Sequence, residues 1–182
     1  MNREFRRIIA VLFLLLLTVT SEPLLSQVHN DTAAIAKSTS EAYTIARRNP
    51  DIAILMSHQA MTASRNLNYT KGVADASLAL GMAFLAKYNP GDSARYYNSM
   101  ALGLYDTIGD IAGKARACYG LSYVCSFSGD LESSEKYSNL ALGYFEKAGD
   151  NRGIINSLNS LSYLARQRQD LEAAKSFLEK AI

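Results

Sequence analysis

Apolar side chains recur along most of the chain at steps of three and four residues, and short polar turns interrupt them. Within 111–128 the small and apolar residues return to one helical face, and 131–148 repeats the pattern. This period is that of an α-helix with one buried face. Between the two segments, Gly129 accepts the left-handed conformation that ends a helix, and Asp130 is suited to cap the next helix. The pattern therefore predicts pairs of amphipathic helices joined by tight turns.

Segments of the chain match one another 40 residues apart. Gly109-Asp110 corresponds to Gly149-Asp150, and Leu121-Ser122-Tyr123 corresponds to Leu161-Ser162-Tyr163. Matches at one fixed period indicate a repeat architecture, in which each unit buries its apolar face against its neighbours. Four helical hairpins are therefore predicted, the first irregular and the last unfinished, at 31–69, 70–110, 111–150 and 151–182. Their helices are expected at 31–48, 50–66, 70–88, 92–107, 111–128, 131–147, 151–168 and 171–182.

Two further residue types recur at the predicted turns and crossings. An aspartate at a helix start accepts hydrogen bonds from free backbone N–H groups, and Asn49 before Pro50 is expected to cap in the same way. The predicted aspartate caps are Asp110, Asp130, Asp150 and Asp170. Small residues recur where the helices are expected to cross, because they allow helix axes to approach closely. In the first helix of a hairpin, a leucine directly precedes the small residue. These small residues are Gly81, Ser122 and Ser162 in first helices, after Leu80, Leu121 and Leu161, and Ala60, Ala101, Ala141 and Ala181 in second helices.

The leucine–small pair of the first helix, the Gly-Asp turn and the small alanine of the second helix resemble the tetratricopeptide repeat family, in a longer unit of about 40 residues. The resemblance covers residues 31–182, and the long unit is typical of the family's bacterial exported members. It departs from the family pattern because no unit starts with tryptophan and the closing proline is absent. The resemblance implies an all-α fold, a right-handed α-solenoid of antiparallel helix pairs, whose first helices line a concave groove that receives ligands.

One face of the predicted helices 70–88, 111–128 and 151–168 would line such a groove. Tyrosine, arginine and asparagine side chains on that face suit a peptide, because they offer aromatic area and hydrogen bonds to backbone amides. Tyrosines four residues apart on a helix also serve as packing residues, and this alternative stays open. The expected groove residues are Asp75, Met82, Arg116, Tyr119, Tyr123, Asn156, Asn159, Tyr163 and Arg166, with Leu78, Leu85 and Ser126 beside them.

The N-terminal segment has the composition of a targeting signal. Three arginines precede an uncharged, strongly apolar stretch over 8–21. These 14 residues are too few for a spanning helix, which needs roughly 20, so 1–26 is predicted to be a secretory signal peptide cleaved after Ser21 or Ser26. The alternative is an uncleaved anchor, which would contact the membrane only through 8–21. In either case the residues from 27 onwards are expected outside the cytoplasm, exported or periplasmic.

Few residues offer catalytic or metal-binding chemistry. His29 is predicted to lie in a linker and His58 on a helix without a second ligand one turn away, and no nucleophile or metal motif occurs. Cys118 and Cys125 stand about 10.5 Å apart along a helix axis, too far for a disulfide, so both are expected to be buried free thiols. A net charge of +2 does not indicate nucleic-acid binding. We therefore expect no enzyme activity, cofactor or metal.

Three functional hypotheses follow, and a non-catalytic scaffold ranks first. Outside the cytoplasm, its solenoid would bind a protein or peptide segment along the groove. The alternative is the N-terminal sensor region of a larger membrane signalling protein, a histidine kinase or helix-turn-helix regulator, with its output domain beyond residue 182. A secreted enzyme subunit is the weakest hypothesis. The last predicted helix stops at Ile182 without a polar capping helix, which predicts a truncated array whose open end could self-associate.

Overall fold

A computed structural model describes residues 27–87 and 91–181 of the chain, and every regular element in those ranges is an α-helix. Helix α1 is described over 27–45. The other helices are α2 (Pro50–Asn66), α3 (Thr70–Ala86), α4 (Asp92–Thr107), α5 (Ile111–Phe127), α6 (Leu131–Ala148), α7 (Asn151–Gln167) and α8 (Leu171–Lys180). The described part is therefore an all-helical, repeat-like structure of eight helices, and the all-α prediction is confirmed.

Helices α2 to α8 begin at the residues predicted from the sequence and end within two residues of the predicted ends. Helix α1 differs, because it is already helical at residue 27 and ends at 45, before a turn over 46–48. The linker prediction for His29 is therefore wrong, since this side chain lies on α1. Neither glycine nor proline interrupts 27–45, whereas Pro50 disfavours helical conformation at Asn49 and so requires the chain to leave the helix before it.

Aspartate side chains cap the N-termini of the last four helices, α5 to α8, as predicted. Each carboxylate accepts a hydrogen bond from the backbone N–H three residues ahead, at 2.8–3.0 Å. The capping residues are Asp110, Asp130, Asp150 and Asp170. Asn49 precedes α2 but its side chain makes no capping hydrogen bond, so that prediction is wrong. Pro50 occupies the first turn, where its fixed φ suits the start of a helix.

A residue with positive φ stands at the turn after each of five helices. Three are glycines, Gly109 (φ 70°), Gly129 (φ 78°) and Gly149 (φ 68°), and they precede α5, α6 and α7. Asn68 (φ 53°) and Gln169 (φ 62°) take the same conformation before α3 and α8. Glycine adopts this left-handed conformation without steric cost, whereas glutamine rarely does. Gln169 therefore follows the turn geometry of the repeat and not its own preference.

Small buried residues lie where the helices of one hairpin cross. Ser122 of α5 accepts, through its backbone carbonyl, a hydrogen bond from the hydroxyl of Ser134 at 2.9 Å. At the next crossing, the hydroxyl of Ser162 donates to the carbonyl of Ala174 at 3.0 Å. The leucines that directly precede the small residues of the first helices are fully enclosed. They are Leu80, Leu121 and Leu161.

Successive hairpins pack through a glycine near the start of an odd-numbered helix. Gly113 of α5 faces the ring of Tyr105, and Gly153 of α7 faces the ring of Phe145. A Cβ on either glycine would clash with that ring, so the missing side chain permits the close packing. Gly72 is the corresponding residue of α3. We call the two contacts the Tyr105 seam and the Phe145 seam.

The helices form a face in which odd-numbered members lie side by side. Every helix from α2 to α8 packs against its neighbours in the chain. In addition, α3 approaches α5 and α5 approaches α7, while Tyr43 of α1 packs against the core cluster that includes Ala74 and Leu78 of α3. Within the described residues, the backbones of the even-numbered helices do not approach one another in this way. We call the surface shared by α1, α3, α5 and α7 the odd-helix face.

Cys118 and Cys125 are free and buried, as the sequence predicted. Burial raises the pKa of Cys118 to about 11, so its thiol stays protonated at neutral pH. Among the residues described, no helix combines the length and apolar character that a membrane crossing requires. The predicted signal peptide over 1–26 lies outside the described residues.

Candidate functional site

Three cavities open on the odd-helix face. The aromatic cavity has a volume of about 440 Å³ and lies mainly between α5 and α7. The middle cavity, about 280 Å³, lies between α3 and α5. The polar cavity, about 170 Å³, lies among α1, α3 and α5. Only the aromatic cavity of these three reaches the volume of roughly 300–1,000 Å³ that is usual for ligand pockets.

Aromatic side chains form the wall of the aromatic cavity. Phe127 is 64% exposed, Tyr163 45% and Tyr123 37%, so a contiguous aromatic surface faces solvent. Tyr119 completes the wall, and the rest of the lining is uncharged. It consists of Ser122, Ser126, Ser134, Asn156, Asn159, Ser160 and Leu164. A ligand in this cavity would therefore meet aromatic area and neutral hydrogen-bonding groups.

The polar groups around the aromatic cavity differ in whether the protein itself engages them. The hydroxyls of Ser122, Ser134 and Ser160 donate to helix carbonyls at 2.9–3.1 Å. By contrast, the side-chain amides of Asn156 and Asn159 form no hydrogen bond with any described residue. A side-chain amide offers two donors and an acceptor. The amides of these two asparagines therefore have hydrogen-bonding capacity for a bound molecule.

Tyr119 is the member of the aromatic wall that serves as a packing residue. Its ring meets Phe145 edge-on at 6.5 Å between centroids, and Tyr123 at 5.1 Å. Burial and the neighbouring Tyr123 hydroxyl raise the pKa of Tyr119, so the phenol is neutral. Tyr123 and Tyr163 are both more exposed than Tyr119. Of the three tyrosines, these two are the better placed to contact a ligand.

The middle cavity continues from the aromatic cavity, because Tyr119, Tyr123 and Phe127 line both. Its other side is apolar and includes Met82, Leu85 and Ala86 of α3. Arg47, in the turn after α1, is the one charged residue that lines either cavity within the described residues. Its guanidinium forms no ion pair with any residue of 27–87 or 91–181.

Two charged residues of the polar cavity, Lys71 and Asp75, are already paired within the protein. The Tyr105 hydroxyl donates to Asp75 at 2.7 Å, and the Lys71 ammonium bonds Asp75 at 3.2 Å and Asp110 at 2.9 Å. Burial lowers the pKa of Lys71, but Asp110 and Asp75 outweigh it and hold the pKa above its ordinary value. Burial and Asp75 raise the pKa of Tyr105. This network joins α3 to α4 and to the start of α5.

Arg116 of α5 lies on the polar cavity without an ion pair among the described residues. Its Nε atom is buried and has no hydrogen-bond partner there. Burial raises the pKa of Tyr43 across the cavity, and the charges of Arg116 and Arg47 offset only part of that increase. The two guanidinium groups therefore give the odd-helix face positive charge around Tyr43.

The structure brings five of the predicted groove residues around the aromatic cavity. They are Tyr119, Tyr123, Asn156, Asn159 and Tyr163. Met82 lies on the middle cavity, and Asp75 and Arg116 lie on the polar cavity. Arg166 is exposed on α7 and lines none of the three cavities. The predicted set is thus divided between three neighbouring cavities, and one member lies apart.

Two residues that line these cavities, Phe127 and Arg47, were not predicted from the sequence. Phe127 follows Tyr123 by four residues, a spacing that places both on one side of α5, so the helical period could have revealed it. Arg47 lies in the turn after α1, and its position beside the middle cavity depends on how α1 packs against α3. No local pattern carries that information.

Within the described residues, no group of three or more histidine, cysteine, aspartate or glutamate side chains is placed to hold a metal ion. No protein-family model matches the chain, and no curated protein is similar enough to count as a relative.

Proposed function

We propose that this protein is a non-catalytic scaffold that binds a protein or peptide segment along the odd-helix face. The main support is the aromatic cavity, which exposed Tyr123, Phe127 and Tyr163 line together with Asn156 and Asn159, whose side-chain amides bond no described residue. Aromatic side chains bury a large apolar area at low entropic cost, and amides can bond a peptide backbone. This combination suits an extended segment better than a charged small molecule.

We also infer that the helices form a right-handed α-solenoid of the tetratricopeptide type. The odd-numbered helices approach one another while the even-numbered ones do not, which favours a curve with the odd-helix face on its inner side. An inner face of this kind is where solenoids bind extended partners.

An extracytoplasmic location is part of the proposal and rests on the apolar stretch over 8–21. A sensor region of a larger membrane signalling protein would use the same groove and stays the alternative prediction. Intact-mass analysis of the protein from fractionated cells tests the location. A mass that lacks 1–21 or 1–26 in the exported fraction would support the proposal, and an uncleaved chain confined to the cytoplasm would contradict it.

Selection of a random peptide library, displayed on phage, against the immobilised full chain tests the proposed binding. We expect enriched peptides that bind the wild type and lose binding to the Tyr123→Ala, Tyr163→Ala double variant, whose helicity and melting should stay nearly intact. If both substitutions unfold the chain instead, the tyrosines belong to the core and the groove assignment is wrong.

Tyr96 provides a matched control for that experiment. It is 61% exposed on α4, an even-numbered helix, and lines none of the three cavities. We expect Tyr96→Ala to keep full binding of the selected peptides. Failure to enrich any peptide, or equal loss of binding with Tyr96→Ala, would overturn the proposed function.

A further inference from the structure

We infer, on the basis of the proposed function, that the bound segment carries two specific side chains. One is an uncharged aromatic or aliphatic side chain, which enters the aromatic cavity. The other is an acidic side chain, roughly three residues away, which pairs with Arg47 at the middle cavity.

The continuity of the two cavities sets the spacing. Tyr119, Tyr123 and Phe127 line both, so a single segment can cross this shared wall without leaving the surface. The aromatic cavity lies between α5 and α7 and the middle cavity between α3 and α5, so their centres are about one helix separation apart, roughly 8–10 Å. An extended chain advances about 3.3 Å per residue, so it covers this distance in about three residues.

The charge of the middle cavity selects the acidic side chain. Arg47 forms no ion pair within the described residues, and no carboxylate lines the middle or the aromatic cavity there. A guanidinium binds a carboxylate through two parallel hydrogen bonds. Asp75, the carboxylate on the neighbouring polar cavity, bonds Tyr105 and Lys71 and forms no ion pair with Arg47. A lysine or arginine in the ligand would instead meet Arg47 without a compensating acid.

The aromatic cavity selects against charge at the other position. Its lining offers aromatic rings, serine hydroxyls and two asparagine amides, but no ionised group. A charged side chain that entered would lose hydration without gaining an ionic partner, which is unfavourable. An aromatic or aliphatic side chain gains apolar contact with Tyr123, Phe127 and Tyr163 instead. The aromatic cavity therefore selects an uncharged side chain of the segment, and Arg47 at the middle cavity selects an acidic one.

The peptide-library selection, repeated on the Arg47→Glu variant of the full chain, tests this inference. We expect wild-type selections to contain an aromatic or aliphatic residue with Asp or Glu two to four positions away. Arg47→Glu should remove the acidic preference but keep the apolar one, and should weaken an individual acidic peptide by roughly tenfold, because an attraction becomes a repulsion.

Arg48→Glu is the matched control, since Arg48 is the adjacent exposed residue, lines none of the three cavities and forms no ion pair among the described residues. It changes the net charge equally and should leave the selected motif unchanged. A second measurement compares one selected peptide with its Asn or Gln counterpart. Raising the salt concentration should weaken only the acidic peptide, because salt screens the pairing with Arg47.

The outcomes separate this inference from the proposed function. Enriched peptides without an acidic residue, or an equal effect of Arg48→Glu, would overturn the pairing with Arg47 and leave peptide binding standing. A wild-type selection that enriches no peptide would overturn the proposed function itself, and the acidic subsite with it.

Discussion

The Tyr105 seam and the Phe145 seam are built alike, yet of the two aromatic residues only Tyr105 bonds a charged residue of the groove. In both, an aromatic ring packs against a glycine of the next hairpin. At the first, the Tyr105 hydroxyl bonds Asp75, whose charge is shared with Lys71. At the second, Phe145 has no hydroxyl, and its ring meets Tyr119 edge-on instead. Arg116 occupies the position of α5 that corresponds to Asp75, lies on the polar cavity beside Asp75, and forms no ion pair among the described residues.

The Tyr105 hydroxyl and the Lys71 ammonium thus engage one groove position, Asp75, in the structure of the protein. Asp75 belongs to a network that joins α3, α4 and α5, in which its Oδ1 atom accepts hydrogen bonds from both Tyr105 and Lys71. Arg116 and Asn156 stand at the corresponding positions of α5 and α7 and have no such network. Residues at corresponding positions of different repeat units therefore need not share a role, even where the units align in sequence.

The largest effect should come from breaking the Tyr105 seam. Tyr105→Ala removes a fully buried ring and leaves the space beside Gly113 empty. We expect a loss of about 3–5 kcal/mol in the free energy of unfolding, measured by urea denaturation and circular dichroism. A loss below about 1 kcal/mol would contradict the importance of this contact.

Overpacking the hairpin that carries the aromatic cavity should have the next largest effect. Ala141→Phe places a large ring at a fully buried position of α6, against the α5 side chains. We expect it to lower the free energy of unfolding by roughly 1–3 kcal/mol or more. Gly143→Ala, two residues away, is the control, because a Cβ there meets no atom within 4 Å. It should be neutral or slightly stabilising.

Tyr105→Phe sharpens the comparison by giving the first seam the chemistry of the second. The ring against Gly113 is kept, but the hydrogen bond to Asp75 is lost. We expect a loss of about 1–2 kcal/mol in the free energy of unfolding. Tyr137→Phe on α6 should change it by less than about 0.5 kcal/mol, since the Tyr137 hydroxyl bonds no described residue. Equal effects of the two substitutions would contradict a role for the Asp75 network.

The smallest effect should appear in acid. Burial raises the pKa of Asp110, but hydrogen bonds from Lys71 and the Gly113 N–H outweigh it and hold the pKa below its ordinary value. Ionised Asp110 therefore stabilises the fold above its unfolded-state pKa, and this contribution disappears as pH falls through the folded-state pKa. We expect the difference in unfolding free energy between wild type and Asp110→Asn to shrink on acidification. A difference that stays constant would contradict this.

Helix positions were predictable from the sequence because their determinants are local. Gly129 and Asp130 end one helix and start the next with little help from the rest of the chain. Helix α1 was placed less well, since 27–45 contains no glycine or proline to mark its start. The seams were not predictable, because the role of Gly113 depends on Tyr105, which meets it only in the packed structure.

The candidate site was predictable only as far as one helical face. The helical period and the repeat register placed Tyr123 and Tyr163 on the same surface, and the structure brings them to one cavity. The same register placed Asp75 there too, but could not reveal that Tyr105 engages it. The position of Arg47 at the middle cavity was not predictable from the sequence, because it depends on how α1 packs.

The most direct test compares Asn156→Ala, Asn159→Ala with Asp75→Asn in both stability and binding. Calorimetric titration with one library-selected peptide measures affinity, and urea denaturation measures the free energy of unfolding. We expect the asparagine double variant to lose affinity while it keeps its stability, and Asp75→Asn to lose stability while it keeps its affinity. The reverse pattern, or parallel losses in both variants, would contradict the separation of a binding region from a structural region on the odd-helix face.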